Sequence, residues 1–234
     1  MRPPHFAVAL LCVALLSASA AHAAPADIPL LGFTGYDYHV ASPASTHYLD
    51  AGDQYFSLGF VTSFDPALLG SHVDSSVNEY TFLLDGLAVQ ATFYSGGLLE
   101  ADFVSAPSSR ARFYEDALAT GTHADYGASP ENATAPATFI DGQVVLGGQI
   151  SSFVVTYNFG VDQGTFSGSI NFDEGSDLAF IPVSQRGGWA FGGIAGNPLV
   201  PQGYDHQVNG QCQVPSSTPV AHVTWGAIKS LYRR

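Results

Sequence analysis

Positive charge is almost missing from this chain. Its 234 residues hold 7 lysines and arginines against 20 aspartates and glutamates, a formal net charge of −13 at pH 7. Every acidic residue lies beyond position 23. Arg2 stands at one end and Lys229, Arg233 and Arg234 at the other, so only Arg110, Arg112 and Arg186 offset the acids of the body. Such a body repels phosphate backbones, which excludes nucleic acid as a partner and disfavours adsorption to anionic membrane except through the basic end. Cations, neutral glycans and basic protein surfaces suit it, and acidity also serves solubility alone. Cysteine is scarce too, with Cys12 and Cys212 the only two. No disulfide framework is available, so stability must come from a buried core, which a chain of this length can supply. The apolar run at residues 6–16 is too short to cross a bilayer as a helix.

What the amino terminus does contain reads as an export signal. Arg2 gives a positive start, residues 6–16 (FAVALLCVALL) an apolar core, and Ala21-His22-Ala23 a signal-peptidase site, with Ala18-Ser19-Ala20 as the alternative cut. Residues 1–23 are therefore expected to be removed, leaving a mature chain from Ala24 that is secreted, periplasmic or displayed at the cell surface. Cys12 follows Leu11 in mid-run, the wrong place for lipid attachment. Its loss leaves Cys212 without an internal partner. Cys212 is expected as a small residue in the last strand or the linker, the alternative being an intermolecular bridge or attachment point.

Residues 24–213 are read as one domain, residues 214–223 (VPSSTPVAHV) as a Pro/Ser/Thr linker, and residues 224–234 (TWGAIKSLYRR) as a tail. In the tail, Trp225, Ile228, Leu231 and Tyr232 fall on one helical stripe with Lys229, Arg233 and Arg234 beside it. Such a basic amphipathic motif suits a membrane surface or a receptor groove. The pattern resembles a C-terminal extension of the form TWGxIKxLYR carried by assorted uncharacterised exported proteins of environmental bacteria. The resemblance covers the tail alone. It implies a sorting or attachment tag read by sorting machinery, and it departs from the PEP-CTERM type in lacking a Pro-Glu-Pro triplet and a transmembrane run.

With 25 glycines, 14 prolines and 46% hydrophobic residues, the body has neither a helical nor a disordered composition. Apolar and polar residues alternate with period two in about a dozen segments: 33–40, 55–62, 79–84, 87–94, 98–104, 111–114, 144–150, 153–159, 165–172, 178–183, 188–194 and 204–208. Asp85-Gly86, Asp141-Gly142 and Asp162-Gln163-Gly164 read as turns, and residues 66–69 and 115–119 as short helical turns. The expected fold is all-β, an antiparallel β-sandwich of jelly-roll type, with a β-barrel as the alternative. Residues 120–136 form a long irregular stretch holding the sequon Asn132-Ala133-Thr134. Gly35-Tyr36-Asp37 is echoed by Gly203-Tyr204-Asp205, each continuing to a histidine, His39 and His206. A shared sheet edge or chance repetition explains the echo equally well.

Candidate chemistry is sparse. Glu100 and Asp102 share one face of a strand and resemble the start of the E-x-D-x-(x)-E signature of laminarinase-type glycosidases, but Val104 and Ser105 occupy the places of the final acid. They are the catalytic candidates, against a plain solvent-facing role. Asp173, Glu174 and Asp177 form the densest acidic cluster and the one calcium candidate, although their spacing completes no EF-hand. No other cofactor is expected. The histidines His39, His47, His72, His123 and His206 are scattered and fit no zinc motif, and Phe166-Ser167-Gly168-Ser169 lacks the first glycine of a nucleophile elbow. Trp189 and Phe191, set among glycines, are either buried core or a sugar-stacking platform. The expectation is an exported, non-catalytic protein with a structural or adhesive role at the cell surface or in the extracellular matrix, contacting glycans or other surface proteins. A carbohydrate- or calcium-binding module and a glycosidase-like enzyme are the alternatives.

Overall fold

Nine antiparallel strands take up the alternating segments of the chain in its computed structural model, which describes residues 29–65, 67–69, 72–126, 137–196 and 199–213. The export signal, the sequon, the linker and the tail residues Trp225, Ile228, Lys229, Leu231, Tyr232 and Arg233 lie outside the described residues. The strands are β1 (Pro29–Val40), β2 (Gln54–Phe64), β3 (Asn78–Ser95), β4 (Leu98–Val104), β5 (Arg110–Ala117), β6 (Gln143–Asn158), β7 (Gln163–Glu174), β8 (Trp189–Gly196) and β9 (His206–Gln213).

Their order is β2-β1-β9-β8-β7-β6-β4-β3-β5, and the pairings β2–β3 and β5–β6 join what would be free edges. The sheet closes on itself. Two long strands make this closure work, because β3 and β6 each pair with β5 along one half and with β4 along the other. β4 and β5 thus lie end to end, and eight strands enclose the interior at any level. The all-β antiparallel expectation holds, while the jelly-roll sandwich is corrected to the barrel named as its alternative. A sandwich needs two sheets with edges, whereas here Asp37 stands opposite His206 and Leu58 opposite Leu83, which uses those edges up.

Local departures from the alternating pattern have their own reasons. Asp85-Gly86 is not a hairpin turn: β3 runs straight through it. Gly86 takes a φ of 68° at a bulge where two residues of β3 slip past one of β2. A Cβ there would meet the Ser108 carbonyl at 2.0 Å, because the β4–β5 connection crosses at this point. The Ser109 hydroxyl donates to the Gly86 carbonyl at 2.8 Å and fastens the crossing. Residues 144–150 and 153–159 likewise merge into β6, with an irregularity at Ile150/Ser152. Residues 178–183 are not a strand but lie across two 3-10 turns, Ser176–Phe180 and Val183–Gln185. Glu115 to Ala117 extend β5 where a helical turn was expected.

Side chains fill the barrel. Phe33, Tyr55, Phe82, Phe103, Phe113, Phe153, Phe166, Phe191 and Trp189 are all buried within one cluster, and ring pairs such as Phe153–Phe191 stack at 5.6 Å. Leu49, on the loop between β1 and β2, is fully buried in the same cluster and stoppers one end. Ile181 and Trp189 are buried at a second position, where Arg186 ties the 3-10 turns together through the carbonyls of Ile181 and Leu178, each at 3.0 Å. Outside the wall, Tyr38, Leu58, Leu83, Tyr114, Phe139 and Tyr204 form a second buried cluster.

Candidate functional site

The echoed triplets lie side by side. β1 and β9 run antiparallel, and Tyr36 packs on Tyr204 with ring centroids 5.3 Å apart. Each half then clasps the other. Asp37 Oδ1 accepts from the backbone N–H of His206 at 2.8 Å and lies 3.1 Å from its Nδ1. Asp205 Oδ2 accepts from the backbone N–H of His39 at 2.9 Å and lies 2.7 Å from its Nδ1. Asp37 is wholly buried. Burial pushes its carboxyl up from the ordinary range, against the opposing pull of His206. In His206 burial works against the imidazolium, but the hydrogen bond and charge of Asp37 outweigh it and the net direction is upward. Tyr55, whose phenol burial keeps protonated, donates to Asp37 Oδ2 at 2.9 Å.

An aspartate, a histidine and a tyrosyl hydroxyl in contact invite comparison with a catalytic relay, and the geometry answers it. The Tyr48 hydroxyl lies 3.2 Å from His206 Nδ1, the same ring nitrogen that faces Asp37. A relay needs the acid and the nucleophile on opposite ring nitrogens, so that a proton taken on one side is steadied from the other. Asp37 and Tyr48 therefore cannot pass a proton to one another through the ring. It is a structural clasp, capped by the β1–β2 loop, in which Asp53 accepts from Ser42 N, Asp50 N and Ser45 Oγ at 2.7, 2.9 and 3.0 Å.

The remaining candidates separate. Glu100 and Asp102 stand exposed and adjacent on the outer face of β4, side by side along one strand rather than on two walls of a cleft. Asp173 and Glu174 are engaged by arginines: Arg110 reaches both, Arg112 Nε donates to Glu174 Oε1 at 2.9 Å, and Arg112 also faces Asp85 at 3.5 Å. Those guanidinium groups supply the positive charge that a calcium ion would bring. Asp177 is buried in a 3-10 turn with its Oδ1 accepting from the Ser176 hydroxyl at 3.2 Å. Among the described residues no group of three or more histidine, cysteine or carboxylate side chains is placed to hold a metal ion. His72 stacks on Phe180, His123 lies 3.5 Å from Glu79, and His47 is exposed beside Asp50. Trp189 and Phe191 are 0% and 3% exposed, so the sugar-stacking platform is not there: alternation along β8 turns both rings inward, onto Phe172 and Phe153.

A candidate surface lies on the outside of the wall instead. The outward residues of β7 from Gln163 to Asn171, of β8, and of β9 from Gln207 to Gln213 are Gln163, Thr165, Ser167, Ser169, Asn171, Ala190, Gly192, Ile194, Gly196, Gln207, Asn209, Gln211 and Gln213, none of them charged. Hydroxyls are laddered across this face, with Thr156 and Thr165 joined at 2.7 Å and Ser151 and Ser169 at 2.6 Å. An aromatic interior under a hydroxyl and carboxamide exterior is the reverse of a lipid-facing barrel wall. Two hollows lie on this face. A hollow of about 540 Å³ is lined by Leu98, Thr156, Asn158, Gln163, Thr165, Ile194, Gln207 and Asn209 among others. A smaller one of about 190 Å³ adjoins it across Leu98 and Thr156, and brings in Phe93 and Glu100.

Register places these side chains abreast. Phe93 pairs with Glu100, Glu100 with Thr156, Thr156 with Thr165, Thr165 with Ile194, Ile194 with Asn209, and Asn209 with Thr34. One row thus crosses β3, β4, β6, β7, β8, β9 and β1, about 29 Å at the usual strand spacing of about 4.8 Å. Phe93 is 69% and Ile194 62% exposed, so the row offers two apolar surfaces among its polar groups. Sequence reasoning missed this site, because alternation identifies which residues face out but not which strands lie next to one another. The one readable signal was the run of Ser, Thr, Asn and Gln at the outward positions of the later strands. Comparison of the chain with protein-family models, with curated proteins and with solved structures finds no match.

Proposed function

We propose that the protein is exported and acts without catalysis, in a structural or adhesive role at the cell surface or in the extracellular matrix. The observation that carries this reading is the uncharged outer face formed by β7 from Gln163 to Asn171, β8 and β9 in a chain of net charge −13. Solubility alone would be served by spreading acids over the whole exterior. Leaving one side to hydroxyls and carboxamides is what a contact surface requires. Two further features support it. The interior positions are taken by aromatic side chains, so the barrel encloses packed core where a ligand-carrying barrel would keep a lumen. The buried constellation of Asp37, His206 and Tyr55 has the geometry of a clasp.

Export and display are tested together by expressing the full chain in a bacterial host. Amino-terminal sequencing of the exported product is expected to begin at Ala24, and protease added to intact cells is expected to reach the protein. Retention in the cytoplasm with Met1 in place, or hydrolysis of polysaccharide by the purified chain, overturns the reading.

A further inference from the structure

We infer that the row from Phe93 to Asn209 is a binding site for a neutral glycan strand, which lies across the strands with sugar rings on Phe93 and Ile194 and its hydroxyls bonded to Thr165 and Asn209. The inference rests on the non-catalytic contact role proposed above and names its ligand class. Charge selects first. An anionic polysaccharide or nucleic acid is repelled by the acidic body, by Glu100 within the row and by Asp102 beside it, while a cationic ligand would favour the denser acids elsewhere over a row that holds one. Among neutral ligands, a lipid or an apolar peptide needs a continuous apolar surface, whereas Phe93 and Ile194 are separated by Glu100, Thr156 and Thr165.

Sugars present the complementary pattern. Each ring has an apolar C–H face that packs on an aromatic or aliphatic surface, and a rim of hydroxyls that both donate and accept. Carboxamides and threonine hydroxyls also do both. Asn209 is held for this role, since the Thr34 hydroxyl donates to its Oδ1 at 2.7 Å and leaves its amide N–H groups as donors. The hollow of about 540 Å³ at Thr165, Ile194 and Asn209 is of the size that holds a small ligand, and the adjoining hollow under Phe93 continues it in the direction of the row. A groove that runs on across several strands suits a polymer better than a single sugar.

The test is affinity electrophoresis of the purified full-length chain through gels containing neutral polysaccharides (β-glucan, xylan and mannan), with alginate as the acidic control. Retardation by at least one neutral polysaccharide and none by alginate is expected. Phe93→Ala and Asn209→Ala should each weaken it by about three- to tenfold, the scale of one lost ring contact or hydrogen bond. Both positions are exposed, so an unchanged melting temperature verifies that the variants fold. Gln163→Ala at the rim of the hollow is a further variant if either fails to fold. Retardation that survives all the substitutions overturns the site, and retardation by alginate alone overturns the charge argument. Absence of retardation by every neutral polysaccharide removes the glycan while leaving the export and display result standing, so the two readings fail separately.

Discussion

The carboxylate of Asp37 holds His206 twice, through the backbone N–H at 2.8 Å and through Nδ1 at 3.1 Å, and so binds the first strand of the barrel to the last. The contact is buried, with side-chain exposures of 10% for His206 and 1% for Asp37. Replacing Asp37 by alanine strands a buried imidazole and two donors, and is expected to cost about 3 kcal/mol. Asp205→Ala, at the matching but more open pair, should cost under about 1 kcal/mol. Urea unfolding of the two variants measures the difference, and equal costs would mean that burial does not govern the clasp.

The same pairs set the dependence of stability on pH. His39 is raised from 6.5 chiefly by its hydrogen bond to Asp205, and His206 is raised as well, with Asp37 overcoming the effect of burial. Groups raised in the folded state contribute stability that is complete below the unfolded value and is lost as pH climbs through the folded one. The melting temperature should therefore fall as pH rises from about 6.5. Asp50 works at the other limit. The Thr46 backbone N–H is the largest of the contacts that lower its carboxyl from 3.8 to about 2, so its contribution fades as pH drops across that interval. Asp37, raised by burial, opposes that acid loss. Melting curves from pH 2 to 9 should show a plateau between the two declines. His39→Asn should soften the alkaline one, and a melting temperature that climbs from pH 7 to 9 would contradict the assignment.

Cys212 is fully buried in β9, and burial pushes its thiol far up from the ordinary range. The thiolate is the reactive form, so the native protein should not react with a disulfide reagent and should react once unfolded in urea. Non-reducing electrophoresis is expected to show one band that reductant leaves in place. A dimer lost on reduction would revive the intermolecular bridge.

Gly86 tests the closure of the barrel. Its positive φ and the Ser108 carbonyl at 2.0 Å from a Cβ position leave no room for a side chain. Gly86→Ala should cost more than about 1 kcal/mol. Gly96→Ala also has a positive φ, but with nothing within 4 Å it should cost less. Thermal melts of the two variants separate backbone strain from the steric conflict of the crossing.

Particular segments show why some of this was legible from residues and some was not. Residues 98–104 were readable to the residue as β4, because alternation is set by neighbours one and two positions away. Asp85-Gly86 was misread because a hairpin turn and a bulge ask for the same thing, a glycine with positive φ, and only the partner strands distinguish them. Residues 178–183 were misread because a short apolar run fits a strand and a buried turn alike. The two echoed triplets were visible, but not that each aspartate would clasp the other triplet's histidine.

The sequence by itself determined the composition of the strands, which side of each faces inward, and the polar character of the outward positions on the later strands, since all of these follow from local periodicity and side-chain chemistry. Tertiary structure alone decided that the sheet closes, that Asp37 and His206 meet across 169 positions of chain, and that Phe93, Thr165 and Asn209 stand in one row. Strand order and register are non-local: they are settled by which pairings satisfy every edge and fill the interior together, and no stretch of the chain carries that information alone.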